Sequence, residues 1–353
     1  MAEPRPITLA LQGGGTHGAF TWGVLDRLLE EVEREKIEIK AISGASAGAI
    51  NAAVTASGLA EGGAALARVR LREFWRRLSD AGARAGNALF GFGEPGPFGW
   101  NIDWSPAAIM IEAAGLVVSP YTNPFYSDTL APLLEQSFPA DALERLNHGA
   151  GPRVFLSAVN VGTNERKIFS QPHVTIDTLR ASACLPAEFQ AVTIDGQAYW
   201  DGGYLGNPAL KPLVRIADDL LLVMVNPLRR TDMPPRSARA ILDRLNEITF
   251  NASVLLELNA IATINEILRE AEAQNIGLKT RYRRIHLHVI RDDAFMAGLG
   301  VVSKSSTSWT LLSALHRAGV RAAAEFLEHH CDALGQCSSL DVKEALVRPV
   351  LHG

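Results

Sequence analysis

The chain has 353 residues, of which 47% are hydrophobic and 20% charged, and carries a formal net charge of −4. Those values lie in the ordinary globular range, with ample material for a core, and they exclude a global basic field that would recruit nucleic acid. Three cysteines (Cys184, Cys331 and Cys337) are too few for a disulfide framework and point to a reducing, cytoplasmic compartment.

The opening stretch MAEPRPITLALQ lacks the basic start, long apolar run and small-residue cleavage site of a signal peptide. ITLALQ (7–12) reads as a buried strand and runs straight into the glycine loop GGGTHG (13–18). Phe20, Val24, Leu25, Leu28, Leu29 and Val32 then recur at helical spacing and predict a helix over about 17–35. IEIKAIS (37–43) predicts a second strand, followed by the tight GASAG turn (44–48) and an alanine-rich helix to about 60. The uncharged run 41–60 is too rich in Gly, Ser, Asn and Thr to span a membrane. Strand–helix–strand–helix with short joints implies parallel strands in an α/β layered fold.

A further helix is expected over about 62–79, with Leu71, Phe74, Trp75 and Leu78 on one face. Residues 80–126 lose periodicity and read as an irregular, lid-like insertion. Between 89 and 126 stand Phe90, Phe92, Phe98, Trp100, Trp104, Tyr121, Phe125 and Tyr126, which suit either a lipid-facing lid or a satellite core. RVFLSAVNV and RKIFS predict a hairpin around GTNE, TIDTLRASACL a helix, and AVTIDGQAYWDGG a second hairpin ending at the DGG (201–203). DLLLVMVN and RRIHLHVI read as strands, separated by a long helical stretch over about 237–274, and a helix at about 308–330 closes the pattern. No repeat or linker divides the chain, so the expectation is one domain over 1–353 with a mostly helical C-terminal part from about 236. The basic run KTRYRR (279–284) reads as a solvated strand edge, and HHCDALGQC (329–337) as a helix end without metal-ligand spacing.

The loop admits two readings. As Gly13-x-Gly15-x-x-Gly18 it matches a dinucleotide fingerprint, but that site needs an acid at the end of the second strand, and Glu38 lies near its beginning. What ends that strand is Gly44-x-Ser46-x-Gly48. Between a strand and a helix this pattern is a nucleophile elbow: a strained turn exposes the serine, and flanking glycines avoid clashes. A serine nucleophile needs amides for the oxyanion that forms, and a glycine turn on the adjacent strand can supply them. The alternative, a turn serine that caps the helix, remains open.

The elbow follows only the second strand, earlier than in the Ser–acid–His order of α/β-hydrolases. His286, His288, His316, His329, His330 and His352 lie in no recognisable catalytic setting, and His17 within the loop could contact substrate, act as base or pack behind it. Asp201, at the end of a β-rich run and before Gly202 and Gly203, is the stronger candidate base.

Taken together, GGGTHG, GASAG and DGG in this order resemble the patatin-like phospholipase family, with ASACLPAEF (181–189) and Asn207-Pro208 as supporting matches over about 7–210. The C-terminal part is only loosely similar to bacterial members. The resemblance implies a patatin-like (FabD/lysophospholipase-like) three-layer α/β/α sandwich with a mainly parallel sheet. It implies a Ser46–Asp201 dyad, an oxyanion hole from Gly13, Gly14 and Gly15, and Gly18, Gly44, Gly48, Gly202 and Gly203 as motif support. The implied activity is hydrolysis of lipid acyl esters of the phospholipase A, lysophospholipase or esterase type, with peripheral membrane contact and without cofactor or catalytic metal. Acyl transfer, polyester or simple-ester hydrolysis, and non-catalytic lipid binding are the alternatives. Thr16-His17 departs from the basic residue that many members carry before the last glycine.

Overall fold

The computed structural model describes residues 3–84, 100, 119–124, 126–139, 141–228, 234–236, 238–277, 280, 282–300 and 302–342. Eight strands form one sheet: β1 (Arg5–Leu11), β2 (Ile37–Ala45), β3 (Arg153–Asn160), β4 (Glu165–Ser170), β5 (Val192–Ile194), β6 (Gln197–Asp201), β7 (Asp219–Val223) and β8 (His286–Ile290). Helices α1 (Gly18–Glu33), α2 (Ala47–Arg84), α3 (Leu130–Ser137), α4 (Ala142–Asn147), α5 (Ile176–Ser182), α6 (Ala238–Ala273), α7 (Asp293–Ala297) and α8 (Trp309–His330) connect and cover it.

The order along the sheet is β5-β6-β3-β2-β1-β7-β8, with β4 on the far edge of β3. The run β3-β2-β1-β7-β8 is parallel throughout, whereas β4, β5 and β6 pair antiparallel. Alternation along the strands separates two cores. Ile7, Leu9 and Leu11 of β1, with Leu221 and Val223 of β7, face Phe20 and Leu25 of α1, Trp75 of α2 and Leu315 of α8. Ala10, Leu220 and Leu222 point the other way, onto Val254, Leu258 and Ile261 of α6. A strand buried on both faces needs helices on both faces. The result is the expected three-layer α/β/α arrangement with a mainly parallel sheet.

Two features of this topology position the site. From β1 the chain first adds β2 and β3 on one side and later β7 and β8 on the other, so the direction of winding reverses at β1. Ligands of open α/β sheets bind at the carboxyl ends of strands where the winding reverses, which here is the glycine loop. The second feature is the shared edge of β3. Residues 155–160 of β3 pair with β4 on one edge, so β2 (opposite 153–157) and β6 (opposite 158–160) share the other. Ala45 pairs with Ser157 and Asp201 with Ala158, so the end of β6 takes over where β2 stops.

Helix α2 unites the two helices expected from sequence across a kink at Gly62 and Gly63, the latter at φ +73°, and continues to Arg84. It therefore claims residues 80–84 from the insertion expected at 80–126. Of that insertion, 85–99, 101–118 and 125 lie outside the described residues, and with them Phe90, Phe92, Phe98, Trp104 and Phe125. The rings that are described dock onto the fold. Trp100 packs partly against the main core, and the hydroxyls of Tyr121 and Tyr126 accept the amides of Ala191 and Gln190 at 2.8 and 3.2 Å. Among the described residues no helix is long and apolar enough to cross a membrane.

Candidate active site

Ser46 stands between the last residue of β2 and the first of α2 at φ +55°, the left-handed region, and is 5% exposed. Holding a non-glycine residue there costs about 1–3 kcal/mol and requires neighbours that over-determine it. The Ser46 amide donates to the Ser182 carbonyl at 3.0 Å, and its own carbonyl accepts from Ala49 at 2.9 Å and Ile50 at 3.2 Å. The flanking glycines are required by contact: a Cβ on Gly48 would lie 2.8 Å from the Leu11 carbonyl carbon, and one on Gly44 2.6 Å from the Ala49 nitrogen. Gly18 gives the same clearance to Ala47 beneath the elbow.

Asp201 ends β6 and is fully buried. Its amide donates to the Cys184 carbonyl at 2.8 Å, and its Oδ1 accepts the Gly203 amide at 2.7 Å. Thus 182–184, the last residue of α5 and the two that follow it, grips both Ser46 and Asp201 by their backbones. Gly202 and Gly203 let that turn lie flat against Ser157 and Phe250. Loss of water raises the Asp201 pKa from 3.8 to about 7, and the charge of nearby Glu188 adds to the rise; the Gly203 amide and the Ser46 hydroxyl act in the opposite direction. Asp201 Oδ2 accepts no fully formed hydrogen bond among the described residues. Such contacts are often slack before substrate binds.

The three loop glycines differ. The Gly13 amide donates to Asn207 Oδ1 at 2.7 Å, and Asn207 Nδ2 returns a bond to the Gly13 carbonyl at 3.3 Å. That amide is therefore committed to the scaffold. The amides of Gly14 and Gly15 donate to no group among the described residues. Gly15, at φ +59° under the Lys304 carbonyl, lines the same cleft as Ser46. Beneath the loop, Gln12 Oε1 accepts the amides of Val225 and Asn226 at 2.9 Å each, and its Nε2 donates to Asn251 at 2.8 Å. His17 turns away: buried to 3% exposure, it pairs Nε2 with Ser303 Oγ at 2.7 Å.

The cleft that opens at Ser46 has a volume of about 320 Å³. Ile50, Phe74 and Leu78 of α2, Leu130 and Leu133 of α3, and Phe189 make its walls apolar. Its charged lining residues are Glu188 and Lys304. Glu188 is accessible through the cleft yet enclosed by its walls, which raises its pKa, while a bond from Ser305 pulls the other way. Lys304 Nζ donates to Asn226 at 2.9 Å and Asn246 at 3.1 Å.

Of the late histidines, His352 lies outside the described residues, and those that are described lie elsewhere. His288 Nε2 pairs with Asp219 at 2.9 Å and its Nδ1 with Ser339 at 2.9 Å; Asp219 begins β7, so this cluster sits at the end of the sheet opposite Ser46. His316 pairs with Asp26 on α1.

The family profile described as patatin-like phospholipase matches residues 9–214, more than half the chain and every motif residue named above. The chain belongs to the patatin-like phospholipase family. At the level of that family the chemistry is lipid acyl hydrolysis, as the three motifs implied. No curated protein sequence matches the chain. Among solved structures, VipD from Legionella pneumophila is similar at 15% identity over 93% of this chain and 67% of its own, with a TM-score of 0.42. The type III effector protein ExoU is similar at 17% identity over 93% of this chain and 53% of its own, with a TM-score of 0.36. ExoU in its heterodimeric complex with SpcU, from the type III secretion system of Pseudomonas aeruginosa, gives 16% identity over the same shares and a TM-score of 0.35. This patatin-like chain thus spans about half the length of ExoU.

Within the patatin-like site, sequence reasoning missed Gln12, Glu188, Asn226, Asn251 and Lys304. Asn207 carried a signal through its place in the Asn-Pro pair six residues after Asp201, and Glu188 through its place in ASACLPAEF.

Proposed function

We propose that the protein is a serine lipid acyl hydrolase that cleaves a carboxylic ester through Ser46 and Asp201 by way of an acyl-enzyme. The observation that carries this reading is the pairing of a strained, elbow-borne Ser46 with a fully buried Asp201 whose pKa is raised to about 7. A carboxylate with that pKa is half ionised near neutrality and basic enough to take a hydroxyl proton. Asp201 accepts the Ser46 proton as the oxygen attacks the ester carbonyl. The amides of Gly14 and Gly15 hold the oxyanion, each worth about 3 kcal/mol of barrier by analogy with known donors. Collapse expels the alcohol or lysolipid, which takes the proton from Asp201. Asp201 then deprotonates a water that attacks the Ser46 ester, and as that intermediate collapses the proton returns from Asp201 to Ser46 Oγ and the fatty acid departs. The apolar cleft takes the acyl chain, and its mouth leaves the head of the substrate in water.

Fluorophosphonate labelling and lipid-release profiling of the parent, Ser46→Ala and Asp201→Asn test the assignment. Ser46→Ala should lose labelling and turnover, and Asp201→Asn should lose turnover by orders of magnitude while staying folded. Near-normal release by either folded variant would falsify the dyad. Release of free acid, rather than transfer to an added alcohol, separates hydrolysis from acyl transfer.

A further inference from the structure

A second pocket lies on the opposite face of the sheet, between α6, the start of β8 and the segment after Asn207, with a volume of about 250 Å³. Its floor is aliphatic: Val214, Ala260, Ile261, Ile264 and Ile285. The one amide in it, Asn265, is spent on the Ile285 backbone, donating at 2.8 Å and accepting at 2.9 Å. The rim carries Arg166, Lys211, Arg215 and Arg283 against a single acid, Glu257. Glu257 is used up locally, by an ion pair with Arg166 and by the amides of Leu210 and Lys211 at 2.9 and 2.8 Å. Arg283 pairs with Asp218 at 2.9 Å. The side chains of Lys211 and Arg215 form no ion pair among the described residues.

We propose that this pocket, rimmed by Lys211 and Arg215 and floored by Ile261, Ile264 and Ile285, binds the head and first carbons of a single-chain anionic amphiphile such as a fatty-acid carboxylate. The rim has excess positive charge placed for an oxyanion, where charge-assisted bonds are strongest. The floor offers no polar side chain but Asn265, whose amide is engaged with the Ile285 backbone, so a peptide laid across it would leave backbone groups unsatisfied, whereas methylenes would not. At roughly 30 Å³ per methylene-sized unit, taken from the share of a water in the liquid, the recess holds on the order of eight carbons. The basic run that sequence alone placed on a solvated strand edge thus contributes Tyr282 and Arg283 to the wall of a site. The site is also joined to the catalytic turn, because Arg166 Nη1 donates to the Leu205 carbonyl at 3.3 Å.

Titration calorimetry of the full chain with monomeric laurate tests this, with inorganic phosphate and phosphatidylglycerol vesicles as separate arms. Lys211→Glu/Arg215→Glu should weaken one laurate site by roughly tenfold or more, as expected for lost charge-assisted bonds, with thermal stability unchanged because both side chains are exposed. Ile264→Asn should weaken laurate in the same way by spoiling the floor. Any second laurate site, in the Ser46 cleft, should be indifferent to both changes, so the two readings fail separately. Laurate affinity unmoved by the charge reversal would overturn the proposal. So would phosphate binding as tightly as laurate, or a dependence on Lys211 and Arg215 seen with vesicles alone.

Discussion

The amide of Gly13 is donated to the side chain of Asn207 at 2.7 Å, across 194 residues of chain. This bond ties the glycine loop to the segment that follows Asp201, so the two halves of the proposed site cannot drift independently. It also narrows the proposed oxyanion donors from three amides to Gly14 and Gly15.

Asn207→Ala should therefore loosen the loop without touching Ser46 or Asp201. It leaves the Gly13 amide without its buried acceptor, while the Gly13 carbonyl keeps the bond from Asn226 Nδ2 at 3.2 Å. The orphaned amide costs about 1–3 kcal/mol, so the melting temperature should fall. If the loop amides stabilise the transition state, kcat should drop about tenfold or more with little change in KM. A variant that lost stability alone would show that Asn207 holds the fold and that the loop's register is indifferent to it.

The pH profile offers a test of Asp201. As a base it works only when ionised, so kcat/KM on a soluble ester should rise with pH, reach half its plateau near 7, and stay level above. Burial is the main cause of that raised value, and the Glu188 charge is an added one. Glu188→Gln removes a negative neighbour and should move the acid limb to lower pH. A limb that stays in place, or moves up, would show that Glu188 does not act on the base.

The same raised pKa makes Asp201 a liability for stability. In the unfolded chain it ionises near 3.8, in the native state near 7, so between those values the native state holds a proton that the unfolded state has released. Stability from this group is complete below about pH 4 and is lost as pH rises through 7. The loss is on the order of 4 kcal/mol at most. Asp201→Asn cannot ionise and can keep the bond from Gly203. It should therefore melt higher than the parent at pH 8, and the gap should close toward pH 4. Parallel melting curves over that range would mean that Asp201 is better solvated than its burial implies.

The local parts of the site were legible because they are local. Strand, glycine loop and helix follow one another within 5–33, and strand, Ser46 and helix within 37–84, so periodicity and turn chemistry were enough. What sequence could not supply is register across the sheet. That Ala45 and Asp201 face consecutive residues of β3 depends on β6 folding back against β3, which no short pattern encodes. The amides that brace the loop with Asn207, namely Gln12, Asn226 and Asn251, were invisible for the same reason: each is an ordinary loop or helix residue until its distant partner arrives. Glu188 sat in a motif stretch, but its bearing on Asp201 is a matter of distance and enclosure, not spacing.

The cleft volume makes a prediction about chain length. At roughly 30 Å³ per methylene-sized unit, 320 Å³ accommodates on the order of ten carbons. Each methylene buried is worth about 0.8 kcal/mol, so kcat/KM on nitrophenyl esters should climb about fourfold per carbon from butyrate and level off near decanoate. Longer chains gain nothing once the recess is full. Leu133, on α3 and 6% exposed, lines that recess, and Leu133→Phe should bring the plateau to shorter chains while leaving butyrate turnover nearly unchanged. Leu130→Ala, on the same wall, should push it to longer ones. The pair controls for overpacking, which costs about 1–3 kcal/mol of stability but would lower all chain lengths together. A plateau that neither change moves would place the acyl chain somewhere other than between α2 and α3.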